Sequence, residues 1–170
     1  MKSKKNLVLI GMMGSGKSSI GKLLSKKLKI EFIDIDNKIE ENENKTIAEV
    51  FKKKGEKYFR NIEESISINY LKLENKVISL GGGGYINPNI RKIASNKCIS
   101  VWLNWKTETL INRIRKSKKR PIAMKLSIDE LEKLIEERSL VYNASNFKIN
   151  CDKLDKNQIV RKIVKIYESS

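Results

Sequence analysis

Histidine is absent from the 170 residues, and cysteine and proline occur only twice each. Without histidine the commonest general base is missing, so proton transfer falls to a carboxylate, and a histidine-ligated metal is excluded. Cys98 and Cys151 lack any metal-like spacing and sit in or beside apolar segments. A disulfide framework is therefore not expected, and both read as small buried hydrophobes. No linker rich in proline or glycine divides the chain, and no internal repeat occurs. At this length a single core buries roughly two-thirds of the unfolded surface, which fits one domain over residues 1–170. No apolar run approaches the ~18 residues that a membrane span needs. The start, Met1-Lys-Ser-Lys-Lys-Asn followed by Leu7 to Met13, superficially resembles a secretory signal, but its apolar stretch is short and interrupted by Gly11. A strand leading into a glycine-rich loop explains the same residues better, and a cytoplasmic protein is expected.

Acidic residues are also scarce relative to basic ones: 20 against 36, a net charge of +16. The excess is mostly lysine scattered along the chain among abundant asparagine and isoleucine, a pattern of compositional drift rather than a nucleic-acid footprint. Neither nucleic acid nor membrane is expected as a partner, although a positive field helps attract anionic substrates. Hydrophobic residues at 39% and charged residues at 33% are ordinary for a globular protein.

What is present is an alternation of short apolar runs with helical patterns. Asn6 to Ile10, Glu31 to Asp34, Val77 to Leu80, Cys98 to Leu103 and Phe147 to Asn150 read as strands, with Trp102 as core. Ser18 to Leu28 carries Ile20, Leu23, Leu24 and Leu28 on one helical face. Thr46-Ile-Ala-Glu49, Ser127-Ile-Asp-Glu130 and Asp155-Lys-Asn-Gln158 have the capping-box form or a close variant, and Asn87-Pro88 reads as an N-cap followed by proline at the first helical position. Strands alternating with helices predict a parallel sheet covered on both faces. Lys116 to Lys125, around Arg120-Pro121, is basic and weakly patterned, as a mobile loop would be.

Gly11-Met-Met-Gly-Ser-Gly16-Lys17-Ser18 matches G-x-x-x-x-G-K-[ST] between a strand and a helix. Glycines let backbone N–H groups wrap a phosphate chain, and the helix that begins near Lys17 adds its positive end. Lys17 supplies a point charge from a loop expected to face solvent, and the Ser18 hydroxyl is placed for Mg²⁺. The implied ligand is a nucleoside triphosphate. Asp34-Ile35-Asp36 stands at the carboxyl end of the second strand, where side chains two apart point the same way and both carboxylates can face one crevice. One can hold Mg²⁺ through water while the other accepts a proton from a hydroxyl; the alternative reading of Asp36 is a helix cap. Many proteins with this loop end the neighbouring strand in aspartate, and Ser79 stands there instead, so the carboxylate near the metal is assigned to Asp34. Gly81-Gly82-Gly83-Gly84 offers more glycines than a tight turn needs and points to close backbone approach to a ligand.

The order of these pieces with Gly55-Glu56-Lys-Tyr-Phe59-Arg60, Arg120-Pro121, and Arg138 followed by Tyr142 resembles the shikimate kinase family over essentially the whole chain. The resemblance implies a three-layer α/β/α domain with a five-stranded parallel sheet in the order 2-3-1-4-5, an acceptor-binding region over about 34–62 and a lid over about 116–126. It implies transfer of the γ-phosphoryl group of ATP to the 3-hydroxyl of shikimate, with Mg²⁺ as cofactor held by Ser18 and Asp34, in a protein acting as a monomer. ATP would be held by Gly11, Met12, Met13, Gly14, Ser15, Gly16, Lys17, Ser18 and Ser19, with Arg113 against adenine and Arg120 on the phosphates. Shikimate would be held by Asp36, Arg60, Gly81, Gly82, Gly83 and Arg138, the two arginines clamping its carboxylate bidentately. Lys17, Asp36 and Arg120 would carry the catalysis.

Each arginine also has a plain alternative: Arg60 paired with Glu63 or Glu64 on its helix, Arg138 with Glu136, Arg113 and Arg120 on a solvated basic face. The sequence departs from the family pattern at Ser139-Leu140-Val141, where a proline is usual, at Asn143 to Asn146, at Ile122-Ala123 after Arg120-Pro121, and at Asn44, a frequent glycine position. These changes bear on the lid and on the setting of Arg138. The second functional reading is another small-metabolite kinase with the same loop, such as a gluconate kinase.

Overall fold

In the computed structural model, residues 5–117 and 125–170 are described. Five strands, β1 (Leu7–Ile10), β2 (Glu31–Asp34), β3 (Lys76–Ser79), β4 (Ile99–Asn104) and β5 (Phe147–Asn150), pair in parallel in the order β2-β3-β1-β4-β5. The expected strand order and strand set are present, with ends displaced by a residue in places. Seven α-helices connect or flank them among the described residues: α1 (Lys17–Leu28), α2 (Ile35–Glu43), α3 (Ile47–Leu71), α4 (Pro88–Lys97), α5 (Thr107–Lys116), α6 (Ile128–Tyr142) and α7 (Lys156–Glu168).

Alternation along the central strands fills two cores at once. Val8 and Ile10 of β1 join one cluster with Ile78, Trp102 and side chains of α2 to α6, while Leu7 and Leu9 join the other with Val77, Val101 and side chains of α1 and α7. Burial on both faces is why these strands read as unbroken apolar runs. Cys98 and Cys151 lie buried in these clusters, and burial pushes their thiols up to about 11 and about 12.

All three expected capping boxes form, at Thr46, Ser127 and Asp155, and Asn87 caps α4 with Pro88 in its first turn. Asn44 closes α2 at φ 50°, the left-handed conformation that asparagine tolerates. One element departs from a simple helix. Gly55 inside α3 takes φ 79° and ψ 170°, and the rings of Phe51 and Phe59 stand 4.5 Å apart across it. A straight helix separates residues eight apart by about 12 Å along its axis, so α3 bends sharply at this glycine. The expected loop around Arg120 falls mostly outside the described residues; α5 ends at Lys116, with Ser117 as its cap.

Candidate active site

The phosphate loop lies between β1 and α1, with Gly14 and Gly16 in the left-handed region at φ 80° and 88°. A β-carbon at Gly16 would meet nothing within 4 Å, so this glycine is required for its backbone conformation rather than for space. Lys17 differs from expectation. It is 7% exposed, and its ammonium folds over the loop, donating to the carbonyls of Gly11 at 2.7 Å and Met12 at 3.0 Å. Carbonyl oxygens facing into the loop draw the charge inward, which a reading of the loop as solvent-facing does not anticipate. Ser18 remains exposed at the start of α1, and its hydroxyl donates to Asp34 Oδ2 at 2.5 Å.

Asp34 and Asp36 do converge on the site, but not as neighbours on one strand face. β2 stops at Asp34, and Asp36 lies in the first turn of α2. Asp34 is the helix cap, accepting from the Asp36 backbone N–H through Oδ1 at 3.1 Å while Oδ2 receives Ser18. The cap considered for Asp36 is therefore taken by Asp34, and the Asp36 carboxylate is directed elsewhere. Asp34 pairs in register with Ser79, the residue that replaces the usual strand-end aspartate.

The glycines after β3 show where Asp36 goes. None of Gly81 to Gly84 has a positive φ, so their value is room rather than backbone freedom. A β-carbon at Gly81 would lie 2.6 Å from Asp36 Oδ1 and 2.8 Å from Glu63 Oε1; one at Gly83 would lie 2.5 Å from Arg60 Nη1. One at Gly82 would lie 3.2 Å from the Met13 backbone nitrogen and 3.4 Å from Arg138 Nη1. The glycine run is thus the floor on which Asp36, Arg60, Glu63, Arg138 and the phosphate loop meet. Gly82 is fixed from below by the buried Tyr142, whose hydroxyl donates to its carbonyl.

Arg60 realises one of its plain alternatives in this state, pairing with Glu63 at 2.6 Å and with Glu56 at 3.5 Å. Glu64 is engaged instead by Asn87 and Asn89, each at 2.7 Å, which ties α3 to the start of α4. Glu63 is 2% exposed. Burial pushes its carboxyl above the usual range; Arg60 pulls it down, Asp36 pushes it up and Arg138 pulls it down again. In the sequence Glu63 is visible only as a partner for Arg60, because nothing in a helical spacing says that the position is buried. Arg138 forms no ion pair with Glu136 among the described residues; its Nη1 lies 3.7 Å from Met12 Sδ, and the leucine that replaces the family's proline, Leu140, is 81% exposed and outside this contact.

Arg113 lies against the phosphate loop. Its guanidinium stacks 3.7 Å over the Trp105 ring and donates to the Gly14 carbonyl at 3.4 Å, while Trp105 Nε1 donates to the Ser15 carbonyl at 2.9 Å. Trp105 is a second residue that the sequence did not single out; it follows β4 directly, and position alone marks it. Arg120 lies outside the described residues. Arg138 is brought to the phosphate loop by tertiary packing alone, 126 positions from its Met12 contact.

Comparison with known proteins gives a consistent result. The family model described as shikimate kinase matches residues 13–168. A shikimate kinase of Sulfurihydrogenibium sp. (strain YO3AOP1) is 40% identical over 160 residues, covering 94% of this chain and 96% of that protein. The solved shikimate kinase from Acinetobacter baumannii in complex with shikimate superposes with a TM-score of 0.91 at 27% identity, over 99% of this chain and 95% of that one. A gluconokinase from Sinorhizobium meliloti 1021 matches with a TM-score of 0.60 and 16% identity over 99% and 97% of the two chains, a likeness of fold alone.

Proposed function

The chain belongs to the shikimate kinase family, and from that premise we propose how its own residues divide the work of phosphorylating shikimate with ATP. The observation that carries the assignment of roles is the meeting of Asp36, Arg60 and Arg138 around Gly81 to Gly83 beside the phosphate loop. Two guanidinium groups and one carboxylate suit a substrate that bears one carboxylate and a ring of hydroxyls.

ATP phosphates are wrapped by backbone N–H groups from Gly11 to Ser18, with Ser19 following in the first turn of α1, where the helix adds its positive end. Lys17 neutralises charge on the group in transfer, and Arg120 adds a second cation there. Arg113, held over Trp105, forms one wall for adenine. Arg60 and Arg138 hold the shikimate carboxylate away from the reacting centre. Asp36 orients the 3-hydroxyl and accepts its proton as that oxygen bonds to the γ-phosphorus; the bond to the β,γ-bridging oxygen breaks, and ADP leaves.

Ser18 and Asp34 fit a Mg²⁺ site. They are two hard oxygen donors placed together beside the phosphate loop, and no group of three or more acidic, histidine or cysteine side chains that could hold a metal occurs among the described residues. Mg²⁺ suits such a sparse protein contribution, since it keeps waters and takes substrate phosphates as ligands. When bound, it offsets charge on the phosphates.

A monomeric, cytoplasmic protein is proposed, the location because ATP is its co-substrate. No described helix is long and apolar enough to cross a membrane. A coupled assay of ADP release with Mg²⁺-ATP and shikimate, gluconate or nucleoside monophosphates tests the assignment. Turnover with shikimate far above the others is expected, and preference for gluconate or a nucleotide would overturn it.

A further inference from the structure

Helix α3 carries Arg60 and Glu63, yet it is interrupted five residues before Arg60. Gly55 departs from helical geometry, and a β-carbon there would meet nothing within 4 Å, so packing at that position does not hold the bend. The two halves of α3 need another restraint if Arg60 is to stay in register with Asp36, which belongs to α2.

Glu43 supplies one. It is the last residue of α2, and its side chain is 6% exposed. Oε2 accepts from Lys54 Nζ at 2.7 Å and Oε1 from the Tyr58 hydroxyl at 3.1 Å. Lys54 also donates to the Tyr58 hydroxyl at 2.8 Å, with its ammonium 4.3 Å from the centroid of the Tyr58 ring. Lys54 is the residue before the break and Tyr58 lies three residues after it, so one carboxylate grips both sides of Gly55. A carboxylate at a helix C-terminus opposes the macrodipole, and a nearly buried one is unfavourable unless paired. Local helix stability therefore gives no reason for an acid at this position; the contacts to α3 do. The Lys54 hydrogen bond holds the Glu43 carboxyl below its usual range, so the group is charged at neutral pH.

The stacking across the bend continues the link toward the site. Phe59, adjacent to Tyr58, is buried against Phe51, and the Arg60 guanidinium lies 5.2 Å from the Phe59 ring centroid. A shift of the second half of α3 about Gly55 therefore moves Arg60 directly.

We propose that Glu43, Lys54 and Tyr58 form a clamp across the Gly55 bend that sets the separation of Asp36 and Arg60, making Glu43 a positioning residue for the acceptor. The inference rests on the reading of Asp36 and Arg60 as acceptor-binding groups. No hydrogen bond or ion pair joins Glu43 to the phosphate loop among the described residues.

The test is steady-state kinetics with both substrates varied, together with thermal unfolding. Glu43→Gln keeps the size and loses the charge; it is expected to raise the KM for shikimate about tenfold, because small displacements of orienting groups are costly. Its KM for ATP should stay within about twofold. Lys54→Met should behave alike, and the double variant should be no worse than either single one, as for two halves of one interaction. Exchange of the pair, Glu43→Lys with Lys54→Glu, should recover much of the loss, and Tyr58→Phe, a milder change, should raise the KM about two- to threefold. A lowered Tm with an unchanged KM for shikimate would reduce the cluster to a brace and overturn the proposal, as would an equal rise in both KM values or additive losses. Arg60→Ala in the same series separates the two levels of inference. If it raises the shikimate KM while Glu43→Gln does not, the clamp fails and the acceptor site stands; if neither does, the acceptor-site reading fails and the clamp with it.

Discussion

Between Gly11 and Ser18 the groups proposed to meet phosphate are backbone N–H groups of one contiguous segment, with Lys17 folded onto that segment's own carbonyls. Around Gly81 to Gly83 the groups proposed to meet the acceptor are side chains from α2, α3 and α6, held on a floor of glycines. The first half of the site is built by local geometry and needs few partners. The second concentrates two arginines and two carboxylates and holds them in place by salt bridges, a buried tyrosine and a bent helix. A site of backbone amides keeps its shape whatever the protonation state, whereas a site of opposed charges depends on its counter-ions staying charged and in place.

The comparison can be broken most severely at Lys17, the charged side chain that folds over the phosphate loop itself. Lys17→Ala is expected to lower kcat by at least about 10³, with far-UV circular dichroism unchanged, because the loop backbone is fixed by its own turns. Near-normal turnover would remove the kinase mechanism. Next in size is Asp36→Asn, which keeps the shape but cannot accept the proton. Its loss should fall mainly on kcat, by roughly 10²–10⁴, with little change in the KM for ATP. Retained kcat would take the role of base away from Asp36.

Arg60→Ala removes a charge-assisted contact worth roughly 1.5–3 kcal/mol, so the KM for shikimate should rise about ten- to a hundredfold while that for ATP moves little. Some loss of kcat is expected where the ring is less well held. An equal effect on both substrates would erase the distinction between the two halves. The smallest expected effect concerns stability. The Glu63 carboxyl is raised in the folded state, chiefly by burial, so its ionised form costs stability above that raised value. The cost falls away as pH drops through it and is gone below the ordinary 4.5. Glu63→Gln should therefore unfold at a temperature equal to or above the parent near pH 7, with the difference vanishing in acid, even as it weakens shikimate binding. A lower Tm at pH 7 that recovers in acid would reverse the sign and make Glu63 a net stabilising ion partner.

The two halves also differ in how far they were legible beforehand. The phosphate loop, its strand and its helix follow from eight consecutive residues in a fixed order, and the three capping boxes mark α3, α6 and α7 where they begin. For the acceptor half, Asp36, Arg60, Arg138 and the glycines could be named, but the reasons for their convergence could not. Asp36 reaches Gly81 because β2 ends at Asp34, two residues short of what alternation through Asp36 requires, and Asp34 takes the cap. The glycine run proved to accommodate the protein's own carboxylates and arginines rather than to relax the backbone.

Sequence alone determined what is encoded over short separations: strand and helix type from hydrophobic period, helix starts from caps, and a phosphate site from one contiguous loop. Those features rest on backbone geometry and on contacts a few residues apart, which any copy of the same segment would make. The burial of Glu63, the stacking of Arg113 on Trp105 and the grip of Glu43 across Gly55 were decided only by tertiary structure. Each depends on which groups, distant in the chain or brought round a bend, exclude water from a charge, and neither burial nor the local dielectric is a property of a residue or its neighbours in sequence.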